Sequence, residues 1–489
     1  LPLAGCGSRL SAATIAHAAT NGSNPGQGVD LGNEKGALTD QPVADAQPTA
    51  APASTTASDP TAQGARPSAV AGSSQSQQSA QSPNGVAAAG GQRGTRTTAS
   101  IPGGGSGEKG PGRAPQPGAP APTNAMGAPI LIGNVGTYSG VTGTNLKAQL
   151  TGVQVWVATV NAAGGVNGHP VRLIVGEDGG DSAKHRSLVQ KFIEQDKVAA
   201  FVGNAEVFTG AGSIDYIQER HVPVVGLDGA ESYAYDHSMY FPQMPSGEAQ
   251  VHALIAGTSV RARQANRTKL ATLTCLEATV CHDAARVWAQ KAKELGLEMV
   301  YQAEASLGQP DFTSQCLQAR NAGANLVMFA TDPGSIVRFA TSCERQNYQP
   351  LYAPCGTCVG PTIATTRALD GAVVSHTAFP WTASDTPARQ EFQDAMRRYG
   401  GSEDVLPYHS FGWTAAKLFE HAVKLSSNPT TPSGILEGLW KIANDDLGGL
   451  TYPLTITKDK TIDRRVCWSL VQLSSGRWST LDDGKIRCL

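Results

Sequence analysis

No aromatic residue precedes Tyr138, so any packed core this chain builds must lie at or beyond that point. Residues 7–126 are dominated by Ala, Gly, Ser, Pro, Gln and Thr, with seven Lys/Arg and six Asp/Glu among them. Such a segment cannot bury enough surface to offset the ordering of its backbone, and it is expected to be a disordered linker. The remaining ~360 residues carry every Phe, Tyr and Trp and can support two sizeable cores. The formal net charge is −2, with a pI near 6.6 and no clustered Lys/Arg run. That excludes the electrostatic footprint of a nucleic-acid binder. No apolar run reaches the ~18–20 residues a membrane-spanning helix needs.

From Pro129 the pattern changes. Ile130-Leu131-Ile132-Gly133-Asn134-Val135 is a short apolar run that ends in the loop Gly136–Gly140. Leu146, Leu150, Val153, Val157 and Val160 then recur at helical spacing, and Gly164-Gly165 stops the helix. Val171–Val175 is the next strand, Asp181 can cap the helix after it, and strands at 198–203 and 222–226 flank a helix holding Ile214 and Ile217. A second series follows: helix 248–263, strand 269–274, helix 283–295, strand 298–303, helix 312–322, strand 325–330, helix 333–346 and strand 351–354. Residues 386–445 read as mostly helical, and 452–456 and 466–472 as strand-like. Short apolar strands alternating with helices predict an α/β fold with parallel sheets covered on both faces, and two series predict two lobes. Ligands of open parallel sheets bind outside the carboxyl ends of the strands.

Of nine cysteines, removing Cys6 leaves eight, all downstream of Tyr138: Cys275, Cys281, Cys316, Cys343, Cys355, Cys358, Cys467 and Cys488. An even set suits disulfides in an oxidising compartment, although eight cysteines allow about 105 pairings. Short separations favour Cys275–Cys281, Cys355–Cys358 and Cys467–Cys488, which leaves Cys316–Cys343. Cys355-Gly356-Thr357-Cys358 can be a structural disulfide, a redox pair or half of a zinc site; no second pair or His set at ligand spacing accompanies it. We therefore expect no metal and no cofactor.

Leu3-Ala4-Gly5-Cys6 resembles a bacterial lipobox, which implies lipidation of Cys6, anchoring to the cell membrane, and residues 1–6 as the end of a signal peptide. The linker would then act as a tether, spanning roughly 60 Å as a flexible coil.

Several stretches resemble the type I periplasmic binding proteins of the branched-chain amino acid (Leu/Ile/Val) transporter family. They are Ile132-Gly133 through Tyr138-Ser139-Gly140, the run Val160–Gly168, Asp178, Val202-Gly203, Val222–Val225, Asp311-Phe312-Thr313 and Asn321–Ala324. The resemblance covers about 129–489 and implies a two-lobed fold, with lobe 1 at 128–246 plus 376–450 and lobe 2 at 247–375 plus 451–489. It also implies a small-molecule ligand and an ABC transporter permease as partners, without catalysis. The pocket departs from the family. Where amino-acid-binding members place hydroxyls, this chain has Asn204-Ala205-Glu206-Val207-Phe208 and Asp228-Gly229-Ala230-Glu231. The fold and the binding role therefore carry over, but amino-acid specificity does not.

The strand-end loops name the candidate ligand-binding residues. Tyr138 and Ser139 lie in the first loop, or simply at the surface. Glu206 beside Phe208 suits an amine or hydroxyl-bearing ligand, and equally a helix-start acid with a core Phe. Asp228 follows strand four, Glu277 sits between Cys275 and Cys281, and Asp332 before Pro333 suits a helix cap. Trp381 suits stacking near a hinge, or plain burial. No Gly-x-Ser-x-Gly, phosphate-loop or His-Glu-x-x-His motif is present. The sequence thus points to an extracytoplasmic, lipid-anchored solute-binding protein for an ABC-type uptake transporter. The alternative is a cell-surface sensor or interaction module on the same fold.

Overall fold

The computed structural model describes residues 127–140, 143–401, 404–458 and 464–489. Cys6 and the 7–126 linker lie outside the described residues. Strand β1 (Ile130–Gly136) is flanked in parallel by β2 (Val171–Glu177) and β3 (Ala200–Val202). β4 (Val224–Val225) and β5 (Tyr240–Phe241) extend this first sheet in the order β2-β1-β3-β4-β5. The crossovers are α1 (Gly143–Ala162), α2 (Ser182–Glu194) and α3 (Ile214–Arg220). Ile130, Ile132 and Val135 are fully buried because helices cover both faces, which is why β1 reads as a continuous apolar run. Asp181 caps α2 by accepting from the amides of Ala183 and Lys184.

Helix α4 (Gly247–Gln264) leads into a second series. It contains β6 (Lys269–Cys275), α5 (Thr279–Lys291), β7 (Glu298–Ala305), α6 (Thr313–Asn321), β8 (Leu326–Ala330), α7 (Pro333–Glu344) and β9 (Leu351–Pro354). These strands form a second parallel sheet, ordered β7-β6-β8-β9. Beyond it come α8 (Pro361–Thr365), β10 (Val373–His376), α9 (Pro387–Tyr399), α10 (Pro407–Leu425) and α11 (Pro432–Leu439). The chain closes with β11 (Cys467–Ser474), β12 (Arg477–Thr480) and β13 (Arg487–Cys488).

The third sheet was not foreseen as a sheet. It is antiparallel, with β11 pairing β10, β12 and β13. Segment 452–456 differs from its strand-like pattern: it makes one isolated bridge, Leu454 to Asp445. Pro453 has no amide to donate to a ladder. Tyr452, Leu454 and Ile456 instead enter the core of the first sheet, together with Phe379, Phe392, Trp413 and Phe419. A separate core, around Phe312, Phe329, Phe339 and Trp288, serves the second sheet. Disulfides join Cys275 to Cys281, Cys316 to Cys343, Cys355 to Cys358 and Cys467 to Cys488. Among the described residues no helix is long and apolar enough to cross a membrane.

Helices α1 and α10 pack backbone against backbone. A Cβ at Gly412 would stand 1.9 Å from the Gln149 carbonyl oxygen, and one at Gly152 2.4 Å from that of His409. Gly412→Ala must push the helices apart and is expected to cost roughly 1–3 kcal/mol. Urea denaturation should show a lower midpoint at unchanged slope. An unaltered midpoint would mean that the contact yields freely.

Candidate functional site

The loops leaving β3 and β4 face those leaving β6, β7, β8 and β9 across a cleft with an empty volume of about 780 Å³. The ends of two parallel sheets thus supply its walls, the usual position of a ligand in such sheets. Leu146, Val207 and Phe208 line the first-sheet side, and Val251, Leu254 and Val280 the second-sheet side. The Cys275–Cys281 and Cys355–Cys358 disulfides line it too, adding apolar sulfur to the wall. The polar lining consists of Asn145, Asp228, Gln250, Thr331, Asp332, Thr357 and Tyr408. No Lys, Arg or His is among the described residues that line it.

Behind the first-sheet wall lies a buried acidic network. Asp228 Oδ2 accepts from the amides of Glu206 (2.9 Å) and Val207 (3.1 Å), and its Oδ1 from that of Ala230 (3.0 Å). Glu206 Oε2 meets His185 Nε2 at 3.0 Å and accepts from Asn204 Nδ2 at 2.8 Å; its Oε1 accepts from the Tyr233 hydroxyl at 3.0 Å. Glu231 accepts from the Gly229 amide at 3.1 Å and its side chain hydrogen-bonds with Asp228. Asp178 accepts from the hydroxyls of Thr137 (2.6 Å) and Thr209 (2.8 Å). Burial pushes the Asp228 carboxyl up to about 6; the nearby Glu206 charge adds to this, while hydrogen bonds from Glu231 and Ala230 oppose it. Burial, followed by the charge of Asp228, lifts the Glu231 carboxyl well above the ordinary range. The Tyr233 and Tyr408 hydroxyls are raised in the same way, by burial first and the neighbouring carboxylates second. The carboxylates read from sequence as ligand groups are thus largely engaged with the chain's own amides.

Of the residues singled out from sequence, Phe208, Asp228 and Asp332 line the cleft. Asp332 also caps α7, accepting from the Ser335 amide at 3.1 Å. Tyr138 packs behind the wall beside Ala205 and Phe411, its hydroxyl donating to Asn134 Oδ1. Ser139 is exposed and donates to Glu177. Glu206 is buried in the network rather than facing the cleft. Glu277 is also outside the lining; it accepts from Ser306 Oγ (2.7 Å) and the Leu307 amide (2.9 Å), which positions the lining residue Leu307. Trp381 is buried away from the cleft, edge-on to His376 and Trp478.

Sequence reasoning passed over Asn145, Gln250, Thr357 and Tyr408. Tyr408 enters from the start of α10, far along the chain from the other walls, and no local pattern announces it. A polar Gln250 on the buried face of α4 was a legible signal.

A model of the periplasmic binding protein family matches residues 129–477. An amino acid binding protein of Pseudomonas aeruginosa is 23% identical over 238 residues, which are 44% of this chain and 58% of that protein's length. Among solved structures, the branched-chain amino acid transporter substrate-binding protein of Streptococcus pneumoniae, in complex with isoleucine, aligns with a TM-score of 0.62 at 16% identity, over 74% of this chain and 100% of that one. A fatty acid ABC transporter substrate-binding protein of Thermomonospora curvata aligns with a TM-score of 0.60 at 17% identity, over 76% and 94%. At such identities these structures carry the fold.

Proposed function

The chain belongs to the periplasmic binding protein family, and we propose that it captures a small molecule in the cleft between its two parallel sheets and presents it to an ABC-type permease. The observation that carries this reading is the enclosure of one cleft by the strand-end loops of both sheets. A ligand touching both walls stabilises their closed arrangement by its differential affinity for it. The lobes are lobe 1 at 128–246 plus 376–450 and lobe 2 at 247–375 plus 451–489; the packing of Tyr452, Leu454 and Ile456 in the first-sheet core supports moving 451–458 to lobe 1. Phe208, Asp228 and Asp332 line the wall around the ligand, Tyr138, Ser139, Glu206 and Glu277 support the loops, and Trp381 supports the third sheet. The eight paired cysteines suit an extracytoplasmic location, with Cys6 as the lipid anchor. Binding proceeds without turnover.

A thermal-shift screen of the purified chain against amino acids, amides, polyamines, sugars, and aromatic and fatty acids tests the reading. A ligand at about 100 times its Kd adds about 2.7 kcal/mol of stability. One class is expected to raise the midpoint, with one site per chain by titration. A folded chain unmoved by every class would remove the capture reading and leave the sensor or interaction alternative.

A further inference from the structure

The cleft contains an anion of its own. Adjacent backbone amides in a strand-end loop form a concavity that attracts a negative group. Here the amides of Glu206 and Val207 point together, and Asp228 Oδ2 already occupies them at 2.9 and 3.1 Å. Asp228 is 1% exposed, and its second oxygen is held by the Ala230 amide, so the carboxylate is fixed in place. The other lining acid, Asp332, is committed to the start of α7 through the Ser335 amide and hydroxyl. Among the described residues no cationic side chain lines the cleft to compensate a further negative charge. A carboxylate brought in by a ligand would lose its water, find these amides taken, and lie against Asp228.

What remains open to a ligand is neutral. The Asn145 and Gln250 amides line the cleft without a hydrogen bond among the described residues; Thr331 and Tyr408 stand beside them, as does Thr357, whose Oγ1 meets Cys355 Sγ at 3.1 Å. The rest is hydrocarbon, aromatic ring and disulfide sulfur. Asp228, with its oxygens turned to backbone amides, offers little to an ammonium group.

We propose that the cleft selects an uncharged, mainly apolar molecule bearing neutral hydrogen-bonding groups, and rejects anions because Asp228 supplies the carboxylate that the Glu206 and Val207 amides would otherwise take from a ligand. This rests on the capture reading above and names the class of molecule captured.

The test uses the full chain at about pH 8, where Asp228 is ionised. Calorimetric titration compares matched triplets on one apolar body: isovaleramide, isovalerate and isoamylamine; benzamide, benzoate and benzylamine. The amides are expected to bind at least about tenfold more tightly than the carboxylates. In Asp228→Asn the gap should shrink by a similar factor. The wild-type comparison stands alone should that variant fold poorly. Carboxylates binding as tightly as amides, amines binding most tightly, or a screen ligand that carries a carboxylate would each overturn the inference while leaving capture intact. Absence of binding by every triplet and every screened class is the different result that removes capture itself.

Discussion

Glu420→Ala is expected to cost about 3 kcal/mol or more, a large share of the ~5–15 kcal/mol that holds a typical domain folded. Glu420 lies on α10 at 7% exposure and accepts from the Trp156 indole Nε1 of α1 at 2.8 Å. Lys417 reaches it at 3.0 Å and Lys424 at 2.6 Å. Burial alone would push this carboxyl up; the Lys417 charge and the hydrogen bonds from Lys424, Trp156 and Lys417 outweigh it and hold the group below the ordinary carboxylate range. Truncation strands the buried Trp156 N–H and leaves Lys417, whose side chain is 15% exposed, with Glu391 as its remaining carboxylate among the described residues. Unmet buried polar groups cost more than the bonds they formed were worth. Lys424 is half exposed and contributes little. Glu420→Gln keeps an acceptor for the indole and should lose less than the alanine variant. Urea denaturation measures all three chains; equal losses for Ala and Gln would show that the indole bond carries no weight.

The Asp228–Glu231 pair predicts a pH dependence of opposite sign to an ordinary buried salt bridge. Both carboxyls are raised in the folded chain, Asp228 to about 6. Between the unfolded value near 4 and about 6, the folded state therefore holds more protons than the unfolded one. Stability from this pair is full below about pH 4 and is lost as pH rises through the folded value, by on the order of 3 kcal/mol for Asp228. The groups facing the pair are Glu206, with His185 and Tyr233 beyond it, and Tyr408 across the cleft wall. Two histidines act in the other direction. Burial lowers His376 to about 3 and His409 to about 4, so their contribution is present above about pH 6.5 and fades on acidification.

A double difference isolates the coupled Asp228–Glu231 pair. The stability of Asp228→Asn relative to wild type should rise by about 1.4 kcal/mol between roughly pH 5 and pH 8, because the variant cannot ionise. The histidine contributions are common to both chains and cancel. A relative stability that stays constant across this range would mean that Asp228 titrates as an ordinary carboxyl.

Much of the fold was legible because burial leaves a periodic trace. The β1 run, the α1 stripe and the alternation from Glu248 to Pro354 each record, residue by residue, which face meets the core. Caps are equally local: Asp181 and Asp332 satisfy amides two or three residues ahead, so residue type and position suffice to find them. Of the third sheet only β11 left such a trace, in the strand-like 466–472, and nothing local pairs it with β10, β12 or β13. β10 has four residues, β13 has two, and their partner β11 arrives about a hundred positions after β10. Short antiparallel strands joined across that distance are selected by packing rather than by propensity.

The candidate site divides along the same line. From the sequence alone came the loops that would meet, since strand ends in a βα series must gather at one edge of each sheet. It also determined that acids stand there where hydroxyls were to be expected. Tertiary structure alone decided where those acids turn. Asp228 reaches back 22 and 21 positions to the amides of Glu206 and Val207, and Glu206 finds His185 a further 21 positions upstream. A carboxylate pointing into the cleft and one pointing into the wall are the same letter in the chain. Which occurs depends on whether unpaired amides lie within about 3 Å once the loops are packed, and a buried amide must find a partner.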